Sequence, residues 1–278
     1  MTTTARSWLY VPGHRPELLP KAFASGADAV VVDLEDAVPP GHKAAARTAL
    51  AGFLDGHTGP RPWVRVNGPT TPWGPDDLAT LAGHRPAGLR LSKTEDPEQV
   101  RRLADETGLP LWLVVETGLG LERAYALATA HPAVVGMLLG EADLKADLRI
   151  LDDRGLGWAR GRIVAACAAA GKARPVQSVH TRVGDLDGLR ASSEDARARG
   201  YFGRSVVHPR QVDVVNEVFT PSRVEVERPR AVVDALAASH EAGSSALLDR
   251  DGALIDPAVA EQSNRVLELD RRIRAQQA

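Results

Sequence analysis

The order of apolar and polar segments predicts an α/β fold, a (β/α)8 TIM barrel with a C-terminal helical and hairpin extension. Short apolar runs with the length of buried strands alternate with longer segments rich in Ala, Leu, Glu and Arg at helical spacing. This alternation is typical of a parallel sheet with helices outside it, and eight units suit a closed barrel. An open doubly wound sheet is the alternative. Against it, the first run leads into Val11-Pro12-Gly13-His14, which is not a glycine-rich phosphate loop.

The predicted strands and helices are bounded at most joints by Gly or Pro, which end regular structure. The predicted strands are Ser7–Val11, Ala29–Leu34, Trp63–Val66, Gly88–Leu91, Leu111–Val115, Val134–Leu139, Arg174–Val179 and Tyr201–Val207. The helices predicted between them are Pro16–Ser25, Lys43–Asp55, Asp96–Thr107, Leu121–Ala130, Trp158–Ala170 and Asp185–Arg199.

The rhythm changes near Pro209, so we predict a barrel over residues 1–208 and an extension over residues 209–278. Within the extension the pattern predicts helices over Gln211–Phe219 and Ser222–Glu241. A hairpin turning at Asp251-Gly252 is expected next, followed by a helix that begins at Pro257 and ends near Arg274. We expect the extension to cover the barrel mouth or to pack on a neighbouring subunit.

The bulk composition restricts the classes of partner. The 34 Lys and Arg against 36 Asp and Glu leave a formal charge of −2, which favours neither nucleic acid nor an anionic membrane surface as a partner. Cys167 is the single cysteine, which fits a reducing compartment. The start has no apolar signal segment, and no run is long enough to cross a bilayer, so a cytoplasmic protein is expected.

Two carboxylates follow neighbouring buried runs. Glu116 ends the fifth predicted strand, and Asp143 comes soon after the sixth. An unpaired carboxylate is costly to desolvate, and two that open into one space repel each other unless a cation lies between them. Oxygen ligands favour a hard cation, so Mg²⁺ is the expected cofactor. The alternative is that both residues cap the helices that follow them.

Further polar residues fall after the second, third and fourth strands. Arg65 lies inside a buried run and needs an anion, either a substrate carboxylate or enolate oxygen, or one of the acids Asp33, Glu35 and Asp36. The acids are expected to orient Arg65 or a metal-bound water. Lys93 is expected to pair with these acids or to reach a phosphate.

The remaining candidates are expected to be structural. His180 and His208 follow the last two strands and are expected to be hydrogen-bonded histidines. Cys167 lies among alanines and is expected to be inert core. No Ser or Cys nucleophile motif is present, which argues against a covalent acyl-enzyme.

Six segments in order carry a resemblance to a known family: Arg6–Gly13, Asp33–Val38, Arg65–Gly68, Val115–Thr117, Gly140–Leu144 and Val207–Val212. Together they resemble the citrate lyase β-subunit-like branch of the HpcH/HpaI aldolase superfamily, over nearly the whole chain. The resemblance implies a TIM barrel in a homotrimer or hexamer, with Mg²⁺ held by Glu116 and Asp143 and substrate bound by Arg65. It implies carbon–carbon bond cleavage or formation on a 3-hydroxyacyl thioester of coenzyme A or acyl carrier protein, such as malyl-CoA, citramalyl-CoA or a citryl thioester. It further implies that Asp256, from a neighbouring subunit, acts as acid or base.

Two departures from the family pattern lie near the expected site. Ser92 stands where relatives often have proline, and Gln177 stands where many have an acid, so a charge is expected to be lost there. Three alternatives to the lyase therefore stay open. They are a metal-dependent aldolase that uses pyruvate and no thioester, an acyl-CoA thioesterase, and a lyase subunit or binding homologue that does not act alone.

Overall fold

The computed structural model describes residues 5–241, 246–248, 252 and 254–277 of the chain. The chain divides into two compact units, the first ending at Phe219 and the second beginning at Thr220. The helix predicted over Gln211–Phe219 therefore lies within the first unit. In the described part of the chain, no helix is both long and apolar enough to span a membrane.

A parallel seven-stranded sheet, curled as a half-barrel, forms the centre of the first unit. Its order along the sheet is β6-β5-β4-β3-β2-β1-β7, with every neighbouring pair parallel. The strands are β1 Ser7–Pro12, β2 Ala29–Asp33, β3 Trp63–Val66, β4 Gly88–Leu91, β5 Leu111–Val115, β6 Val134–Leu139 and β7 Arg204–Val206. The predicted parallel α/β architecture is confirmed.

The seventh predicted strand, Arg174–Val179, is not a strand of this sheet. Instead, isolated parallel bridges join Val176 to Leu138 of β6 and Gln177 to Arg204 of β7. The backbone N–H of Gln177 donates to the Gly203 carbonyl at 3.0 Å, and the N–H of Ser205 donates to the Gln177 carbonyl at 2.9 Å. Pro175 has no N–H to donate, which shortens this ladder. The eight predicted strands thus become seven strands and one bridged segment.

The helices of the first unit follow the strands, as a βα order requires. They are α1 Leu19–Phe23, α2 Lys43–Gly56, α3 Gly74–Leu81, α4 Pro97–Thr107, α5 Gly118–Glu122, α6 Ala124–Ala128, α7 Glu141–Asp147, α8 Gly157–Ala169, α9 Leu186–Ala198 and α10 Val212–Phe219. The sequence pattern predicted neither α3 nor α7. The helix predicted over Leu121–Ala130 is divided at Arg123, whose backbone (φ −89°, ψ 8°) is not helical.

Three tryptophans pack together on the inner face of the sheet. Trp8 meets Trp63 and Trp112 edge to face, with ring centroids 5.5 and 5.3 Å apart, and all three are buried. Side chains two residues apart on a strand share a face. Arg65 therefore lies on the same face as Trp63, and the Tyr10 side chain on the same face as Trp8. The aromatic layer is followed, toward the carboxyl ends of the strands, by a polar layer.

The second unit is a helical pair with a short hairpin. Helix α11, Arg223–Glu241, packs against α12, Pro257–Gln277, and β8, Leu247–Leu248, pairs antiparallel with β9, Leu254–Ile255. Leu236, Ile255 and Ala260 form its small buried cluster. The predicted hairpin and helices are present. Of the predicted turn, Asp251 lies outside the described residues, and Gly252 has a left-handed backbone with φ 78°.

Candidate functional site

Arg65 is bound to acids at the carboxyl ends of β2 and β3. Asp33 and Arg65 are register partners, and the guanidinium Nε and Nη2 donate to the two Asp33 oxygens at 2.8 and 2.6 Å. Burial acts to lower the pKa of Arg65, but the charge and hydrogen bonds of Asp33 outweigh it and raise the pKa well above its usual range. Asp33 is 1% exposed, so this is a buried fork-to-fork pair.

Glu35 joins Arg65 to a second cation. One Glu35 oxygen lies 2.8 Å from Nη1 of Arg65, and the other accepts a hydrogen bond from Nζ of Lys93 at 2.9 Å. The exposed Asp36 adds a hydrogen bond from Nη1 of Arg65 at 3.3 Å. Pairing of Arg65 with all three acids, one of the two interpretations left open by the sequence, is therefore what the structure contains. Most of the Arg65 donors are already directed at protein carboxylates.

Glu116 is buried directly after β5 and is held by a strained backbone. The backbone N–H of Lys93 donates to Glu116 Oε1 at 2.6 Å, and Lys93 has a left-handed φ of 53°, which is rare for a residue with a side chain. Thr117, and not Glu116, caps helix α5 by accepting from the Gly120 N–H. The helix-capping alternative for Glu116 is therefore wrong.

Asp143 lies beside Glu116 because β5 and β6 are neighbours in the sheet. Val115 pairs with Leu139, and a backbone hydrogen bond of 3.0 Å joins the Gly140 N–H to the Val115 carbonyl. Asp143 belongs to the first turn of α7, whose N-cap is Gly140, so the capping alternative is wrong here as well.

The charge on Glu116 is disfavoured in this environment. Burial, and then repulsion from Glu35 and Asp143, raise its pKa from 4.5 to about 7, although the Lys93 N–H acts in the opposite direction. A group with only 2% exposure that repels two neighbouring carboxylates is the arrangement that a bound cation relieves.

The carboxylates of Glu116 and Asp143 suit a magnesium ion. Among the described residues, no group of three or more His, Cys, Asp or Glu side chains is placed to hold a metal by itself. Mg²⁺ prefers oxygen ligands, and it commonly uses one or two carboxylates while water or substrate oxygens complete its coordination. The donor set present therefore fits Mg²⁺ and does not fit a closed structural metal site.

A cavity of about 360 Å³ collects most of the predicted site residues at the carboxyl ends of the strands. Asp33, Asp36, Arg65, Glu116 and Asp143 all line it. Glu35 and Lys93 do not line this cavity. Glu35 instead pairs with Arg65 and Lys93, and the backbone N–H of Lys93 donates to Glu116.

The sequence pattern did not indicate Glu141 as a residue of the site. Glu141 accepts two hydrogen bonds of 2.8 Å from Arg160, and its Oε1 also accepts from Gln177 Nε2 at 3.2 Å. A charge was expected to be lost at Gln177, but Glu141 of α7 places a carboxylate beside it. In the sequence, the position of Glu141 two residues before Asp143 was the feature that could have indicated it.

Tyr10, Arg90 and Ser205 were also missed. Tyr10 and Ser205 line the cavity, and Arg90 donates to both hydroxyls. In the sequence, Arg90 could have been recognised because it lies inside the apolar run Gly88-Leu89-Arg90-Leu91, as Arg65 lies inside Trp63–Val66. Ser92, the other departure from the family pattern, is fully buried beside Lys93.

Two of the three residues expected to be structural, His208 and Cys167, behave as such. His208 caps the short 3-10 helix Pro209–Gln211 by accepting from the Arg210 N–H. His180 Nε2 is buried 3.4 Å from an Asp185 oxygen, and among the described residues it has no hydrogen-bond partner, so the hydrogen bond expected for this side chain is not found there. Burial raises the pKa of the Cys167 thiol to about 12, so the reactive thiolate is absent near neutral pH.

Asp256 belongs to the second unit, where it begins helix α12. Its Oδ1 accepts a hydrogen bond of 2.9 Å from the Val259 N–H, which is the geometry of an N-cap. The role of Asp256 as acid or base, and its placement in the site of a neighbouring subunit, stay predictions.

The fold and the site together define a class. A carboxylate pair suited to Mg²⁺, in a cavity at the carboxyl ends of parallel strands, is typical of metal-dependent α/β enzymes. The chain belongs to the HpcH/HpaI aldolase/citrate lyase family, whose model matches residues 6–209. The family includes lyases, which confirms both the resemblance stated above and the enzyme class that it implied.

Two curated relatives differ in their activities. The chain is 40% identical to a (3S)-malyl-CoA thioesterase of Cereibacter sphaeroides, over 80% of this chain and 79% of the relative. It is 30% identical to an L-malyl-CoA/beta-methylmalyl-CoA lyase of the same species, over 94% of this chain and 93% of the relative.

Two solved relatives contain magnesium. The CitE protein of Mycobacterium tuberculosis in complex with magnesium, acetoacetate and coenzyme A is 33% identical, with a TM-score of 0.84 over 97% of this chain and 99% of that one. The citrate lyase beta subunit of the same organism, with oxaloacetate and magnesium, is also 33% identical, with a TM-score of 0.71 over 79% of this chain and 98% of that one. The expected magnesium cofactor is thus confirmed at the level of the family.

Proposed function

We propose that the protein is a Mg²⁺-dependent carbon–carbon lyase, or catalyses the reverse Claisen-type condensation, on a 3-hydroxyacyl-CoA thioester such as malyl-CoA, citramalyl-CoA or a citryl thioester. One observation carries this proposal: buried Glu116, its pKa raised to about 7, stands beside Asp143 in a cavity of about 360 Å³. The family and the magnesium and coenzyme A of the solved relative support it.

In this proposal Glu116 and Asp143 hold the magnesium ion. When bound, Mg²⁺ polarises the oxygens at the keto-acid or carboxylate end of the substrate. Arg65, fixed by Asp33 and Glu35, directs a remaining N–H at a substrate oxygen that becomes negative during the reaction. Lys93 keeps Glu116 in place through its backbone N–H.

Proton transfer is assigned to Asp256. In cleavage, its carboxylate takes the proton of the 3-hydroxyl group, the bond between C2 and C3 breaks, and the electron pair passes to the thioester enolate. The enolate then takes a proton at C2 to give the acyl-CoA product, and the former hydroxyl carbon becomes the carbonyl of the keto acid. Because Asp256 also caps α12, its carboxylate has a fixed backbone partner at Val259.

Three further features belong to the proposal. The bridges at Val176 and Gln177 support a closed (β/α)8 barrel, because they connect this segment to β6 on one side and β7 on the other. We propose that residues 1–208 form the barrel and residues 209–278 the extension. Within this extension α10 belongs to the first compact unit, and the part that begins at Thr220 packs on a neighbouring subunit. The expected assembly is a cytoplasmic homotrimer or hexamer.

Hydrolysis of the thioester is the second candidate. The identity of 40% to a (3S)-malyl-CoA thioesterase favours it, and the same metal and cavity serve either reaction. The two reactions differ in where the bond breaks: a lyase cleaves the C2–C3 bond, whereas a thioesterase cleaves the carbon–sulfur bond.

Product analysis separates these reactions. Purified protein is incubated with malyl-CoA, citramalyl-CoA or citryl-CoA, with Mg²⁺ or with excess EDTA, and products are followed by mass spectrometry and by a free-thiol assay. We expect Mg²⁺-dependent acetyl-CoA with glyoxylate, pyruvate or oxaloacetate, according to the substrate. Malate, citramalate or citrate with free coenzyme A would instead establish hydrolysis. Turnover that persists in EDTA, or in Glu116→Gln, would contradict the metal assignment for both candidates.

A further inference from the structure

Arg90 is a buried cation without a carboxylate partner. It lies in the middle of β4, is fully buried, and its guanidinium carbon is 4.3 Å from the centroid of the Trp8 ring. In the part of the chain that the structure describes it forms no ion pair, and its Nε and Nη2 have no hydrogen-bond partner. Arg65 provides the contrast, because its charge is balanced by Asp33, Glu35 and Asp36.

The remaining nitrogen of Arg90 contacts two hydroxyl groups of the cavity wall. Nη1 donates to Tyr10 Oη at 2.8 Å and to Ser205 Oγ at 3.1 Å, and both residues line the cavity that contains Glu116 and Asp143. A hydroxyl group carries one proton, so an oxygen that accepts from Arg90 keeps that proton for another partner. Within the described residues, neither hydroxyl donates to a protein acceptor.

The charge of Arg90 makes these two hydroxyls selective for anions. Burial lowers the pKa of Arg90, but a guanidinium starts from a value so high that it stays protonated near neutral pH. A buried, uncompensated positive charge is unfavourable and favours any anion that approaches it. Hydrogen bonds to an ionised acceptor are stronger than those between neutral groups. Two hydroxyl donors backed by a cation therefore match a carboxylate.

We propose that Arg90, Tyr10 and Ser205 form a carboxylate-recognition site on the cavity wall, which binds a carboxylate of the acyl substrate other than the one held by magnesium. The inference rests on the proposed function for the nature of the substrate, but not for the reaction catalysed. Of the proposed substrates, malyl-CoA and citramalyl-CoA have one free carboxylate, whereas a citryl thioester has two. A substrate without the second carboxylate leaves the buried charge of Arg90 unpaired, so the site favours the citryl thioester.

Binding of two keto acids tests the site without turnover. Oxaloacetate carries two carboxylates and pyruvate carries one, so only oxaloacetate engages both magnesium and the site. Titration calorimetry in the presence of Mg²⁺ compares the wild type with Tyr10→Phe, Ser205→Ala and Arg90→Met. We expect Tyr10→Phe and Arg90→Met to weaken oxaloacetate binding about tenfold or more, and to change pyruvate binding less than about twofold. Ser205→Ala is expected to act in the same direction with a smaller loss.

Arg204 supplies a matched control. It too is a buried arginine that donates to two serines, Ser192 and Ser193, but it does not line this cavity. Arg204→Met should therefore leave the affinity for both keto acids unchanged.

If Arg90 serves only to pack against Trp8, Arg90→Met alters thermal stability while oxaloacetate affinity stays at the wild-type value, and the proposal is overturned. Equal losses for both keto acids would also overturn it. Tyr10→Phe removes a single hydroxyl and keeps the test valid should Arg90→Met fail to fold. The wild type could show neither lyase nor thioesterase activity while the variants still lose oxaloacetate binding selectively. That result would refute the proposed reaction but support this site.

Discussion

Replacing Glu116 by Gln in the magnesium-free protein is predicted to raise its stability at high pH. The change removes a buried charge and keeps the shape of the side chain, and the amide oxygen of Gln still accepts the Lys93 N–H that Glu116 accepts now at 2.6 Å. The charge is unfavourable because burial and the neighbours Glu35 and Asp143 raise the pKa of Glu116 to about 7.

The expected magnitude follows from that pKa. For an acid whose pKa is higher in the folded than in the unfolded state, the stability present at low pH is lost as the pH rises through the folded value. A pKa raised from 4.5 to about 7 corresponds to a loss of about 3 kcal/mol for Glu116 at pH 8, and about 1 kcal/mol at pH 5. Glu116→Gln avoids this loss, so its advantage over the wild type should grow by about 2 kcal/mol between these two pH values.

The measurement is urea-induced unfolding in EDTA at pH 5 and pH 8, repeated with excess Mg²⁺. Magnesium should reverse the order, because it stabilises the wild type and does not bind the variant. Glu122→Gln removes an exposed carboxylate on α5 and serves as the control, with no comparable gain at pH 8. A Glu116→Gln protein that is less stable than the wild type at pH 8 in EDTA would refute the charge argument. An equal Mg²⁺ stabilisation in both proteins would refute the metal site.

Three further substitutions test other parts of the site. A methyl group at Gly140 would lie 2.7 Å from Glu116 Cβ, so Gly140→Ala should displace that ligand and weaken Mg²⁺ binding at least about tenfold by calorimetry. Arg160→Met removes the side chain that donates two hydrogen bonds to Glu141, so the free energy of unfolding measured in urea should fall by about 3 kcal/mol. Adding Glu141→Gln removes the unpaired charge and should restore much of this loss. Asp256→Asn should reduce turnover about 100-fold or more with unchanged Mg²⁺ affinity, because Asn preserves the cap of α12 and cannot act as a base.

Each of these has a control or a contradicting result. Gly161 lies in α8 with open space where a Cβ would be placed, so Gly161→Ala should be harmless to Mg²⁺ binding and gain about 0.5–1 kcal/mol of stability. No rescue of Arg160→Met by Glu141→Gln would mean that an unpaired Glu141 is not the cause of the loss. Near-normal turnover in Asp256→Asn would remove Asp256 from the mechanism.

The alternation of apolar runs was a reliable guide to the sheet because buried parallel strands need near-continuous apolar sequence. All seven strands fall within or close to predicted runs, for example β5 at Leu111–Val115. The seventh predicted run, Arg174–Val179, was predicted from its apolar residues but forms only isolated bridges, because hydrogen bonding depends on backbone geometry that composition does not report. Helix α7 was not predicted, because its seven residues are too few for a helical period to stand out.

By itself, the sequence determined the parallel α/β architecture, because strand periodicity is a local property, and its motifs determined the family. It also placed Glu116 and Asp143, the proposed metal ligands, after neighbouring buried runs. Only the tertiary structure decided the partners of those residues. It directed Arg65 at Asp33, and it placed the Lys93 N–H on Glu116. It also supplied an acid beside Gln177 from Glu141. Among the described residues it gave Arg90 the hydroxyls of Tyr10 and Ser205 and no counter-charge. Such partners lie tens of residues apart in the chain. The register of β2 and β3 brings Asp33 beside Arg65, whereas the curl of the sheet brings Arg90 of β4 to Tyr10 and Ser205 on β1 and β7, which are not its neighbours in the sheet.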